Sequence, residues 1–100
     1  MLPIDFAIAP SKACTKLLAK AGMNMNDVDF HEVNEAFSAV ALANMKLLDL
    51  DPSNVNINGG AVALGHPLGA SGARIMISLM NVLRQKDATI GMASICNGGG

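Results

Sequence analysis

The chain has 100 residues, of which 51% are hydrophobic and only 15% charged, with a formal net charge of -1. At this length a single domain is expected, burying roughly 60 to 70% of its unfolded surface, and so apolar a composition asks for burial inside the fold or against further protein. The few Lys and Arg form no basic stripe and the apolar stretches are broken by Asn, Lys, Gly or Asp, so neither a nucleic-acid nor a membrane partner is expected.

The opening MLPIDFAIAP has neither a basic region ahead of an apolar block nor an Arg/Ser-rich amphipathic pattern, and no targeting peptide is read there. After Pro10, the segment SKACTKLLAKAG sets Ala13, Leu17 and Leu18 at helical spacing, which predicts a helix that Ser11 caps and Gly22 ends. Val28 to Val33 reads as a short strand, in which His31, beside Glu32, is an ordinary polar position. From Asn34 the run EAFSAVALANMKLLDL keeps Phe37, Val40, Ala41, Met45 and Leu48 in a 3.6-residue period until Asp51-Pro52 breaks it.

A VNIN strand is expected next, followed by GGAVALGHPLGASG, a glycine-rich loop too apolar for a solvated linker and too long for a hairpin turn. From about Ala70, residues Ala73, Ile75, Met76, Leu79, Met80 and Leu83 mark a third helix that ends near Arg84 to Asp87. The last segment, TIGMASI, is continuously apolar, as a strand covered on both faces would be, and runs into CNGGG. Helices and strands therefore alternate, which predicts an α/β layered fold with its ligand site at the carboxyl ends of the strands. Asn34, His66 and Cys96 all fall at or just after a strand end.

Each of these three has two readings. Asn34 precedes a helix and has the chemistry of an N-cap. His66, in Gly-His-Pro, is either structural or a loop imidazole able to donate to an oxyanion or take a proton. Cys96 is either a small buried hydrophobe or an acid/base thiol, whose use as a base requires a neighbouring histidine or oriented N–H groups. Cys14, on a helix among Ala and Leu, reads as core, and two cysteines in unrelated contexts read as reduced thiols. A phosphate loop is excluded: Gly60 to His66 has Walker-like glycine spacing, but His stands where Lys is needed and Pro where Ser or Thr should hold magnesium.

Three blocks, NEAF at 34–37, GHP within GGAVALGHPLGASGAR at 59–74, and CNGGG at 96–100, resemble the signatures of the thiolase family in order and spacing. Each is weak alone; together they are specific, and VNINGGAVALGHP with SICNGGG looks closest to the family's mitochondrial acetoacetyl-CoA type. The resemblance implies a C-terminal thiolase domain over residues 1–100, layered α/β/α with a mixed sheet, cut before its last strand and lacking the N-terminal domain. It implies reversible Claisen condensation and thiolysis of acyl-CoA, with the coenzyme A thioester as substrate and no cofactor required for the chemistry. On this likeness His66 activates a nucleophilic thiol and donates to an oxyanion hole, while Asn34 holds the water that supplies the other donor. Cys96 acts as acid/base, Gly98 gives a backbone N–H to a second hole, and Glu35 and Phe37 shape the pocket. Potassium bound partly by the Val62 carbonyl, a dimeric or tetrameric homo-oligomer, and a mitochondrial location (alternatively cytosol or peroxisome) are further implications. The nucleophilic cysteine belongs to the family's earlier domain, so the isolated chain is expected to be inactive; the alternative is a non-catalytic interaction module.

Overall fold

The computed structural model describes residues 8–66 and 69–96. Its first helix, α1 (Ala9–Ala21), carries Pro10 in its first turn, where a missing N–H costs nothing and a fixed φ favours helix. The helix thus begins two residues before Ser11, which is not its cap: the Ser11 Oγ donates to the Ile8 carbonyl at 2.8 Å. The Ser11 N–H is instead met by the Asn44 side-chain oxygen at 2.8 Å, from the helix alongside. Gly22 ends α1 as expected, at φ +69°, in the left-handed conformation that only glycine adopts without strain.

Strand β1 (Phe30–Val33) pairs in parallel with β2 (Gly91–Ser94), in the register Phe30 to Gly91 through Val33 to Ser94. A carboxylate fixes the entry to this pair, because Asp29 Oδ2 accepts the Thr89 and Ile90 N–H groups at 3.1 and 3.0 Å. Two backbone hydrogen bonds to Asp29 hold its carboxyl below the usual range. On its other edge β1 meets residues 55 and 56. The expected VNIN strand is only a bridge between His31 and Val55, because Asn56 turns left-handed at φ +49°. The Asn56 side chain then takes the place of a strand: its oxygen accepts the Val33 N–H at 2.8 Å and its amide donates to the Val33 carbonyl at 2.9 Å.

Side chains alternate across the pair and define the layers. Met92 faces α1, where Cys14, Leu18, Val28 and Met92 form the buried cluster. Gly91 faces α4 (Ser71–Gln85), whose Ile75, Leu79 and Val82 are buried. A Cβ on Gly91 would sit 2.7 Å from the Leu79 side chain, so α4 rests directly on the strand backbone. Between these elements lie α2 (Ser38–Leu48), closed by left-handed Asp49, and α3 (Ala61–Leu64), a single turn inside the expected glycine-rich loop. The result is an α/β/α layering on a parallel pair. No helix among the described residues is long and apolar enough to cross a membrane.

Candidate functional site

The site forms where both strands end. Asn34 is the first residue beyond β1, is fully buried, and its N–H donates to the Ser94 carbonyl at 2.9 Å, which carries the ladder one step past the strand. It does not cap α2. That helix starts four residues later from Phe37, whose extended backbone delays it, and no side chain caps it. The Asn34 amide therefore keeps its oxygen and nitrogen for other use, and among the described residues neither has a hydrogen-bond partner. A buried amide without partners costs on the order of 1–3 kcal/mol per group, so an asparagine here in place of an apolar residue needs a reason.

Cys96 lies two residues beyond β2, the strand paired with the one that Asn34 follows, and is buried. Burial pushes its thiol pKa up and a backbone hydrogen bond partly offsets this, so the group rests in its protonated form. Cys14 is core, as expected, and burial raises its thiol as well. Both cysteines are free.

His66 follows α3 and Gly65, which stands at φ +96° and lets the chain turn sharply at the histidine. The imidazole is held by α4: Nδ1 lies 2.5 Å from the Oγ of Ser71, the first residue of that helix, itself buried. The histidine loop is joined to the segment after β1 by Glu35, whose Oε1 accepts the Val62 N–H at 3.3 Å. Gly60 makes room at this junction, since a Cβ would displace the same Glu35 carboxylate and the Asn56 amide. Hydrogen bonds thus link residues 34 and 35 both to β2, which leads to Cys96, and to the loop that carries His66. Phe37 is 69% exposed and Val62 63% exposed. Gly98 lies outside the described residues.

His31 is buried, not an ordinary polar position, and Glu32 beside it is buried too. Glu32 faces α4, where Arg74 approaches to 3.6 Å, and burial pushes its carboxyl up to about 7 despite that cation; nearby Glu35 adds to the rise. Burial also lowers the His31 imidazole. Arg74, one turn beyond Ser71, is the one Lys or Arg among the described residues that is not exposed.

Comparison with known proteins identifies the family to which this fold belongs, over the whole chain. The chain belongs to the thiolase family: the family described as "Thiolase, C-terminal domain" matches residues 1–100. It is 58% identical over 98 residues to the acetyl-CoA acetyltransferase of Schizosaccharomyces pombe, covering 98% of this chain and 25% of that protein. The cattle relative, 58% identical over 98% of this chain and 23% of its own length, is named mitochondrial. Among solved structures, the Bacillus anthracis acetyl-CoA acetyltransferase superposes with a TM-score of 0.95 at 46% identity, over 100% of this chain and 25% of that one. The chain spans about a quarter of the length of the relatives it matches.

Proposed function

We propose that this segment supplies the proton-handling and oxyanion-binding groups of an acetyl-CoA acyltransferase that condenses or cleaves acyl-CoA thioesters. The observation that carries the reading is Asn34: fully buried, unspent at both polar atoms, and hydrogen-bonded through its backbone to the strand leading to Cys96. An apolar residue would be cheaper there unless the amide orients a water or substrate oxygen. A thioester enolate carries its charge on oxygen, and a fixed donor aimed at that oxygen contributes about 3 to 4 kcal/mol in mutational cases.

In the condensation direction, Cys96 as thiolate removes a proton from the methyl carbon of an acetyl thioester, and the enolate oxygen accepts from His66 Nε2 and from a water held by Asn34. The enolate carbon then attacks an acyl group carried on a cysteine of the enzyme's upstream part, which leaves as thiolate. The Gly98 N–H stabilises the tetrahedral intermediate. In thiolysis the order reverses and Cys96 returns the proton. Its raised resting pKa suits the donor role; the base role requires a neighbour to draw the proton off. Glu35 ties the two catalytic loops together.

Val62 fits a potassium ligand only in part. It lies on a one-turn helix, whose carbonyls have few internal partners, but a single carbonyl does not define a cation site. An acyl-CoA partner, a homo-oligomer and a mitochondrial or cytosolic location belong to this same proposal. Residues 1–100 then act as the C-terminal part of a larger subunit, consistent with exposed apolar side chains on α2 and α4, including Leu42, Leu47, Ile77 and Met80.

Two measurements test the reading. The isolated chain should not cleave acetoacetyl-CoA in the presence of coenzyme A, while a chimera joining residues 1–100 to the upstream part of the S. pombe relative should. In that chimera Cys96→Ala and Asn34→Ala should each lower kcat by about a hundred-fold or more. A fully active Cys96→Ala chimera would sink the assignment. An inactive chimera that still assembles with intact thiolase subunits would favour the non-catalytic module.

A further inference from the structure

We propose that Ser71 is the positioning residue that lets His66 change its proton pattern between the two half-reactions, a refinement that rests on the catalytic reading above. The geometry is direct. Ser71 is 2% exposed, begins α4, and sets its Oγ 2.5 Å from His66 Nδ1. Helix α4 is in turn seated on β2 at Gly91 and faces β1 through Arg74 and Glu32, so the hydroxyl is delivered from a fixed element to an imidazole on a loop.

The two roles of His66 demand opposite tautomers. To take the proton of a nucleophilic thiol, Nε2 must offer a lone pair, and the neutral ring then carries its hydrogen on Nδ1. As the S–H bond breaks and the Nε2–H bond forms, the ring becomes imidazolium and Nδ1–H needs an acceptor. To donate to a thioester oxygen from a neutral ring, Nε2 must carry the hydrogen and Nδ1 must accept. A carboxylate or backbone carbonyl at Nδ1 would serve only the first state, because it accepts and never donates. A hydroxyl serves both: its oxygen accepts from Nδ1–H, and after rotation about Cβ–Oγ its hydrogen donates to the Nδ1 lone pair. Ser71 thereby holds the ring plane while leaving the tautomer free to switch.

The chimera described above, labelled with 15N-histidine and assigned through a His66→Asn control, tests this directly. In the parent, the two ring nitrogens of neutral His66 should show averaged shifts reporting both tautomers. Ser71→Ala should move the ring towards the Nε2–H form that neutral imidazole prefers, and Ser71→Thr should restore the mixture. In kinetics, Ser71→Ala should lower kcat for acyl transfer to the enzyme thiol by about 10- to 100-fold, the usual cost of losing a supporting hydrogen bond, with KM little changed. A parent locked in one tautomer overturns the proposal even where the alanine variant fails to fold. So do an unchanged tautomer ratio in Ser71→Ala and equal kinetic losses in the alanine and threonine variants. If the tautomer shift occurs in a chimera without thiolase activity, the catalytic reading fails and the control of the ring by Ser71 stands.

Discussion

Replacing Glu32 by glutamine should make the fold more stable at neutral pH. In the folded chain the Glu32 carboxyl titrates at about 7, against an ordinary value of 4.5, because burial outweighs the attraction of Arg74. Between these values the folded state keeps a proton that the unfolded state has released. Stability contributed by this group is therefore complete below pH 4.5, falls as pH rises towards 7, and is flat above it. At 1.36 kcal/mol per pKa unit, the loss amounts to about 3 kcal/mol. His31 works the other way: its lowered pKa means stability rises with pH up to 6.5, so the parent's total slope is a partial cancellation. The difference between parent and Glu32→Gln isolates the carboxyl. Urea denaturation of both from pH 4.5 to 8 should show near-equal stability at the acid end and a growing advantage for glutamine up to pH 7. A constant difference across that range would refute the reasoning.

Asn56→Ala removes two hydrogen bonds to Val33 and leaves alanine in a left-handed backbone, for a loss of about 2 to 4 kcal/mol by urea denaturation. Asn44→Ala strips the Ser11 N–H of its buried acceptor and should cost about 1 to 3 kcal/mol, with faster hydrogen exchange in the first turn of α1. At pH 8 both cysteines should react with iodoacetamide far more slowly than a free thiol, since burial raises both pKa values and hides both sulfurs; rapid alkylation of either in the folded chain would contradict the burial described.

Periodicity made the long helices legible. The α4 stripe of Ile75 and Leu79 and the glycine stop at Gly22 were readable because each depends on neighbours along the chain. Local signals misplaced the elements wherever a distant group satisfied the backbone. Ser11 looks like a cap, but Asn44 of another helix takes that N–H; Asn34 looks like a cap, but its amide is held back from α2; the VNIN strand dissolves because Asn56 pairs through its side chain. At the site, strand-end position singled out Asn34, His66 and Cys96, and resemblance supplied their roles. Nothing in the spacing showed that Ser71 would reach His66, or that Glu32 would be buried against Arg74, because both depend on how α4 lies across the sheet.

That seating makes Gly91 more than a permissive spot in a strand. A methyl group there meets Leu79 at 2.7 Å and lies 3.1 Å from Leu83, so an alanine would have to displace the leucine side chains that seat α4 on the strand. The same helix begins at the serine beside His66. A substitution at Gly91, touching no reacting atom, therefore acts on the seat of the helix that carries Ser71, and not on the strand alone.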